Sequence, residues 1–205
     1  AFEALEALSL SDSIITRPYE LLATVYYQMG EYDKSIEYEK TAAAIALNQK
    51  DTIRYATMLN ELGIFYLNEG ILDSAKFVLN KSFRIFENID DQEVSSHYHS
   101  CILDNLGELF LIKNEPDSAL FYFSKALVIR KSIEYFWGIG NTSTNIGRVL
   151  ISQGLFEQAL KYLNTGETFL KKSSNNFYNN EGLQRNYEAK STAYDALGRH
   201  DSALR

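Results

Sequence analysis

The main concentration of potential metal ligands in this sequence is the segment that contains His97, His99 and Cys101. If the segment is helical, His97 and Cys101 are four residues apart and share one face, whereas His99 points elsewhere. At most two ligands would then converge, and a structural zinc site needs four. A catalytic cysteine would need a base oriented by a third group, and this spacing does not indicate one. The sequence therefore predicts neither a metal site nor a nucleophile in this segment.

Other motifs of catalytic or cofactor-binding proteins are also incomplete. Gly138 and Gly140 are followed by neither a third glycine nor a Gly-Lys-Ser or Gly-Lys-Thr sequence, so they do not form a phosphate-binding loop. The adjacent carboxylates Asp90 and Asp91 fall in a predicted linker, where solvation is a simpler explanation than acid–base catalysis. We therefore predict no catalytic residues, no metal and no cofactor, and we expect that the chain is not an enzyme.

The composition indicates a folded, water-soluble chain that does not bind nucleic acid. Its 205 residues are 45% hydrophobic and include only two prolines, which is enough material for a helical core. The formal net charge of −7 argues against a nucleic-acid partner, because such affinity rests on clustered Lys and Arg. No apolar run approaches the ~20 residues that cross a bilayer, so we expect no membrane insertion. A single cysteine leaves the compartment open between cytoplasm and periplasm.

An internal repeat organises the chain. Five segments align, and each has a small residue seven positions before a residue suited to a tight turn. The turn residues are Gly30, Gly70, Asn114, Gly154 and Gly198, and the small residues are Ala23, Gly63, Gly107, Gly147 and Ser191. Successive turns are 40, 44, 40 and 44 residues apart, a mean of 42. A period of this length is typical of supersecondary units that stack on one another.

Each repeat predicts a pair of antiparallel helices. Glycine or asparagine at the turn tolerates the positive φ that reverses the chain. An acidic residue three positions later would lie in the first turn of the second helix, near the positive end of its dipole. Pro116 suits such a helix start. Two residues after the acid, a small residue such as Ala119 would let the second helix closely approach the small residue of the first helix, here Gly107.

This pattern of small residue, aromatic residue, turn glycine, acid and alanine resembles the tetratricopeptide repeat over nearly the whole chain. Its period is longer than the usual value of about 34 residues and is similar to that of kinesin light chains and bacterial tetratricopeptide regulators. Two departures are Lys190, where the other copies are apolar, and Asn114 in place of a turn glycine. The resemblance implies an all-α fold: an α-α superhelix, or solenoid, of about ten or eleven helices.

We expect one continuous solenoid over residues 1–205, because each repeat buries its apolar face only against its neighbours. The helical spacing of Phe2, Leu5 and Leu8 predicts the second helix of an incomplete first hairpin. Because the chain begins at Ala1 and ends within a predicted helix, we expect it to come from a longer protein. The expected units are a partial hairpin at 1–15, repeats at about 16–50, 51–90, 91–133 and 134–175, and a truncated repeat at 176–205.

The family resemblance implies a binding function, with a protein or peptide of unknown identity held in the concave groove of the first helices. In several family members, asparagines equivalent to Asn105 and Asn145 hold an extended peptide by its backbone, because an amide offers both donor and acceptor. The alternative is that these asparagines contact only water or a neighbouring helix. The peptide-binding residues implied by the resemblance are Tyr27, Asn60, Ile64, Asn68, Asp104, Asn105, Glu108, Asn145, Arg148 and Ser152.

Two further functions stay open from the sequence. The chain could be the sensory or regulatory segment of a larger bacterial transcription regulator or sensor kinase. It could also be a self-assembling structural solenoid that forms homo-oligomers through uncapped apolar ends.

Overall fold

The computed structural model describes residues 13–173 and 176–199, and every regular element in these ranges is an α-helix. This confirms the all-α prediction for the described part of the chain. The additional helices expected before residue 13 and after residue 199 lie outside it. The described helices are α1 (Ser13–Gln28), α2 (Tyr32–Asn48), α3 (Thr52–Asn68), α4 (Leu72–Phe86), α5 (Gln92–Ile112), α6 (Pro116–Ser132), α7 (Phe136–Ser152), α8 (Phe156–Lys172) and α9 (Asn176–Ala196). None of these helices combines the length and the apolar composition needed to cross a membrane.

The chain divides into two compact units, residues 1–91 and 92–205. In the first unit, α1 pairs with α2, α3 pairs with α4, and α2 also packs against α3. In the second unit, α5 pairs with α6 and α7 with α8, while α6 packs on α7 and α9 packs on both α7 and α8. Each unit is therefore a run of helical hairpins. We call α1, α3, α5, α7 and α9 the first helices, and α2, α4, α6 and α8 the second helices.

The five turn residues adopt the left-handed conformation that the sequence predicts. At the second turn, the Ile71 amide donates to the Tyr66 carbonyl at 2.8 Å, which closes the end of α3. Two further residues with positive φ, Lys50 and Glu134, follow α2 and α6 and carry no glycine signal in the sequence. The φ values of the predicted turns are 75° at Gly30, 73° at Gly70, 57° at Asn114, 75° at Gly154 and 68° at Gly198.

The predicted helix starts are also present, and Pro116 is the first residue of α6. A cap that the sequence analysis did not predict is the Asp51 side chain, which accepts a hydrogen bond from the Arg54 amide at 3.0 Å at the start of α3. The predicted acid at Asp201 lies outside the described residues. The other predicted acids lie in the first turns of the second helices: Asp33 in α2, Asp73 in α4, Asp117 in α6 and Glu157 in α8.

The helices of each hairpin approach closely at the predicted small residues. In the first hairpin, the Ser35 hydroxyl donates to the Ala23 carbonyl at 2.9 Å. In the next three hairpins a large side chain lies over the glycine. A Cβ atom would lie 2.5 Å from Leu79 at Gly63, 2.6 Å from Phe123 at Gly107 and 2.7 Å from Leu163 at Gly147. The residue that fills this space is one turn beyond the small residue of the second helix, a detail that the sequence did not reveal.

Helix α7 lies at the centre of the second unit, in contact with α5, α6, α8 and α9. Its residues 138–147 are all buried, and they are mostly small or polar. A Cβ atom at Gly140 would lie 2.6 Å from Leu170 of α8, so α8 also approaches this part of α7 closely. The adjoining core contains Phe123, Ile139 and Val149. Small side chains on α7 thus allow several helices to pack closely against it.

Replacing Gly107 with Ala should destabilise the protein, because the new methyl group would overlap the buried Phe123 ring. We expect the free energy of unfolding to fall by about 1–3 kcal/mol, the usual cost of overpacking. Phe123→Leu in the same chain should recover part of this loss by making room. Ser124→Ala, at an exposed position on α6, is the control and should change stability by less than about 0.5 kcal/mol. Denaturant melts would refute the contact if Gly107→Ala and the control gave the same midpoint.

Candidate binding surface on the first helices

All of the predicted peptide-binding residues lie on first helices. They divide between the two units and are described separately for each. The first unit has Tyr27 on α1 and Asn60, Ile64 and Asn68 on α3; the second has Asp104, Asn105 and Glu108 on α5 and Asn145, Arg148 and Ser152 on α7.

In the first unit, Asn68 joins neighbouring first helices. Its side-chain amide donates to the Tyr27 hydroxyl at 3.0 Å and to the Ile64 carbonyl at 2.8 Å. The Tyr27 ring stacks on Phe65, with 5.0 Å between the ring centroids. Asn68 is exposed, and Tyr27 and Ile64 are half-buried. Asn60, by contrast, is only 4% exposed, so its amide belongs to the interior and not to the surface.

In the second unit, a chain of polar contacts connects α5 and α7. The Arg148 guanidinium donates to both oxygens of Glu108 at 3.2 Å and to the Asn145 side-chain oxygen at 3.1 Å. The Asn145 amide group donates to Asp104 at 3.4 Å. The side chains of Arg148 and Glu108 are 34% and 32% exposed, whereas Asn145 is 6% exposed. We call these four residues the α5–α7 cluster, and its solvent-facing part is the Arg148–Glu108 pair.

The remaining predicted residues of the second unit differ from one another. Asn105 and Asn145 are equivalent in the repeat, yet Asn105 is half-buried while Asn145 is buried with both polar ends engaged. A peptide that used Asn145 would have to displace one of these contacts. Ser152 is exposed at the end of α7, where its hydroxyl donates to the Val149 carbonyl at 2.7 Å.

A buried arginine that the sequence analysis missed orients the α5–α7 cluster. Arg130 of α6 is 3% exposed, pairs with Asp104 at 3.3 Å and donates to the Gly138 carbonyl at 3.0 Å. Thr142 also contacts the Arg130 guanidinium and donates to Asp104 at 2.9 Å. Removing one partner of a buried ion pair typically costs about 3–5 kcal/mol, because the other charge is left without compensation. Arg130 and Thr142 therefore fix the position of the Asp104 carboxylate.

The repeat itself carried a signal for Arg130. The equivalent position, eleven residues after the small residue of the second helix, is apolar and fully buried in the other hairpins, with Ala46, Phe86 and Leu170. A charged residue at a core position of a repeat indicates a buried polar network.

Polar pairs also connect α7 with α9. Arg185 donates to the Asn141 side-chain oxygen at 3.0 Å, and Asn186 donates to the Thr144 hydroxyl at 2.8 Å. These residues too were missed, because Asn and Thr within a helix carry no specific sequence signal. The first helices of the second unit are thus linked by hydrogen bonds on both sides of α7.

The histidine–cysteine segment has the geometry that helical spacing predicts. The Cys101 sulfur lies 3.9 Å from the His97 Nε2 atom and 3.9 Å from an Arg130 nitrogen, while His99 contacts Ser95. Burial raises the pKa of the Cys101 thiol, although Arg130 opposes this change, and burial lowers the pKa of His97. These pKa shifts favour a neutral thiol and a neutral imidazole. Over the described ranges, no group of three or more His, Cys, Asp or Glu residues could hold a metal ion.

A second group of charged residues lies in the first unit and contains Glu20 of α1, Glu39 of α2 and Glu61 of α3. Arg54 donates to Glu20 at 2.7 Å and pairs with Asp51 at 3.3 Å. Glu39 is 3% exposed, and burial, together with Glu61 and Glu20, raises its pKa to about 8. Burial and Glu20 also raise the pKa of Glu61, and a hydrogen bond from Asn60 partly opposes this increase. We call Glu20, Glu39 and Glu61 the carboxylate pocket.

Comparison with known proteins identifies the type of repeat. Residues 16–49 match the family model of the tetratricopeptide repeat. A comparison with curated protein sequences gives no significant match. The chain therefore contains a tetratricopeptide repeat, and its all-α hairpins have the fold of tetratricopeptide-like repeat proteins.

Several solved structures share this fold. The Rap conjugation gene regulator of plasmid pLS20, in complex with the Phr* peptide, is 18% identical, with a TM-score of 0.76 over 97% of this chain and 54% of that protein. Aspartyl phosphate phosphatase F from Bacillus subtilis is 20% identical, with a TM-score of 0.73 over 89% of this chain and 46% of that protein. The kinesin light chain-like repeats of P. anserina are 15% identical, with a TM-score of 0.68 over 96% of this chain and 92% of theirs. The chain spans about half the length of the first two proteins.

Replacing Glu39 with Gln should stabilise the protein in alkaline but not in acidic solution. The pKa of Glu39 is raised from 4.5 to about 8, so folding disfavours its ionised form, and stability falls as the pH rises through this range. We expect Glu39→Gln and wild type to melt alike at about pH 5, and the variant to melt higher at about pH 9, by roughly 2–4 °C per kcal/mol of penalty removed. Glu37→Gln, at an exposed position on the same helix, is the control. Equal effects of Glu39→Gln at both pH values would contradict the assignment.

Proposed function

We propose that this chain is a non-catalytic scaffold that binds a protein or an extended peptide on the exposed side of its first helices. The observation that carries the proposal is the α5–α7 cluster. In this cluster Arg148 and Glu108 reach solvent, the buried Asn145 accepts a hydrogen bond from Arg148, and Asp104 accepts one from Asn145. The pLS20 Rap regulator, which is similar in fold, was solved in complex with a peptide.

The cluster has properties that suit binding. Arg148 and Glu108 are both about one-third exposed, so each can exchange part of its present contact for a group on a partner. The buried Arg130–Asp104 pair joins α6 to α5, and hydrogen bonds from Thr142 to Asp104 and from Arg130 to the Gly138 carbonyl join α7 to them. A surface that is already ordered in this way loses less entropy when a partner binds. Because the guanidinium donates and the carboxylate accepts, the pair can recognise both the C=O and the N–H groups of an extended peptide.

The same contacts favour binding over catalysis. Cys101 lies beside Arg130, and burial raises the pKa of its thiol, which keeps it protonated and poorly reactive. The carboxylates of Glu108 and Asp104 are engaged by Arg148 and Arg130. These groups act as fixed charges and hydrogen-bonding groups, which is what a recognition surface needs.

Binding should depend on Arg148 and on the side-chain amides of Asn105 and Asn145. The partner is first captured from the source cell with the intact chain as bait, and its affinity is then measured by titration calorimetry. Arg148→Ala should weaken binding by about 10–100-fold, since a hydrogen bond to a charged group contributes about 1.5–3 kcal/mol. Asn105→Ala and Asn145→Ala should each weaken it by about 2–10-fold.

The matched control is Lys171→Ala. Lys171 is exposed on a second helix, α8, where it pairs with Glu167 of the same helix. We expect this variant to bind like wild type, and all four variants should retain a helical circular dichroism spectrum. If Lys171→Ala weakens binding and the first-helix variants do not, the partner binds to the opposite side of the hairpins and the proposal is wrong.

A further inference from the structure

We propose that the carboxylate pocket of the first unit binds a basic side chain, lysine or arginine, from the bound protein or peptide. This inference rests on the proposed function and specifies one chemical feature of the partner.

The pocket is built by three helices that pack on one another. Helix α2, which carries Glu39, contacts both α1 and α3, which carry Glu20 and Glu61. The three carboxylates differ in exposure: Glu39 is 3% exposed, Glu61 is half-buried and the Glu20 side chain is 34% exposed. The two more accessible members, Glu20 and Glu61, are on first helices, the helices on which we propose that the partner binds. A long side chain that approaches from these helices would meet them before Glu39.

The negative charge of the pocket is only partly compensated. Arg54 reaches Glu20 at 2.7 Å, but the same guanidinium also pairs with Asp51 at 3.3 Å and donates to Thr16 at 3.0 Å. The charged groups that act on Glu39 are Glu61 from α3 and Glu20 from α1, and both are acidic. The influences on the Glu39 pKa include no hydrogen bond and no cation from the described ranges. A buried carboxyl group is costly to ionise when no cation offsets its charge. A cation supplied by a partner would therefore be favoured beside Glu39.

A basic side chain supplies what the pocket lacks. Lysine offers three N–H donors and arginine five, each with one positive charge, and charge-assisted hydrogen bonds to carboxylates are about twice as strong as neutral ones. Both have a long aliphatic stem that can span the distance from an exposed peptide to a buried group. The formal net charge of −7 on the chain also attracts cationic partners over a longer range.

Binding at this pocket should be coupled to proton release. Glu39 is largely protonated in the free protein near neutral pH, because its pKa is raised to about 8. An inserted cation favours the carboxylate form, so the Glu39 proton must leave as the cation binds. Affinity should therefore rise as the pH increases toward this pKa, and it should level off above it. A bound group without positive charge would give no such dependence.

The test uses four pools of acetylated and amidated nonapeptides whose central residue is fixed as arginine, lysine, citrulline or leucine, with the other positions randomised. Each pool is passed over the immobilised full chain at neutral pH, and the retained peptide is quantified. We expect the arginine or the lysine pool, or both, to be retained roughly tenfold more than the citrulline pool, because citrulline keeps the shape of arginine without its charge. The comparison of the two basic pools shows which side chain the pocket prefers.

Glu39→Gln should abolish the excess retention of the basic pools, and Glu61→Gln should reduce it. Glu37→Gln, exposed on the same helix as Glu39, should leave it unchanged. Equal retention of the basic and citrulline pools would overturn the inference but leave the proposed peptide binding intact. The same conclusion would follow if Glu39→Gln still retained more of the basic pools than of the citrulline pool. Failure of every pool to bind wild type would overturn the inference and the proposed binding of extended peptides together.

Discussion

The hairpins of this protein depend on one steric condition, that the first helix carries a residue small enough for the second helix to lie against its backbone. At Gly63, Gly107 and Gly147 there is no room for even a Cβ atom, because a large side chain of the second helix fills the space. This contact fixes how far each first helix stands from its partner. The side chains of successive first helices can then meet, as Arg148 and Glu108 do at 3.2 Å.

Polar residues in the interior decide where the surface groups lie. Arg130 occupies a position at which the other hairpins have an apolar residue, and it holds Asp104 in place together with Thr142. Such a buried ion pair contributes little net stability compared with an apolar core, but breaking it is costly. The second unit therefore has a polar side chain where an apolar contact would be more stabilising, and this side chain fixes the Asp104 carboxylate that contacts Asn145. In the first unit, Glu39 is buried, and the charged residues of the described ranges that act on it are the acids Glu61 and Glu20.

The sequence predicted the hairpins because each depends on local chemistry that repeats. The turn residues need positive φ, the acids favour helix starts, and the small residues permit close packing, so five copies support one another. The sequence did not predict positive φ at Lys50 or Glu134, since lysine and glutamate have no preference for this conformation. It also did not show that Asn60 and Asn145 are buried while Asn68 is exposed. That difference depends on which neighbouring helix covers each residue.

The most direct test of the account is to determine which helices touch the bound partner. A photo-crosslinking residue, benzoylphenylalanine, is placed at the exposed Asn68 and Ile112 on first helices, and in separate variants at the exposed Phe77 and Phe121 on second helices. The captured partner is added, the samples are irradiated, and the adducts are identified by mass spectrometry. The account predicts adducts from the first-helix positions and none above background from the second-helix positions. Adducts formed only at Phe77 or Phe121 would contradict it.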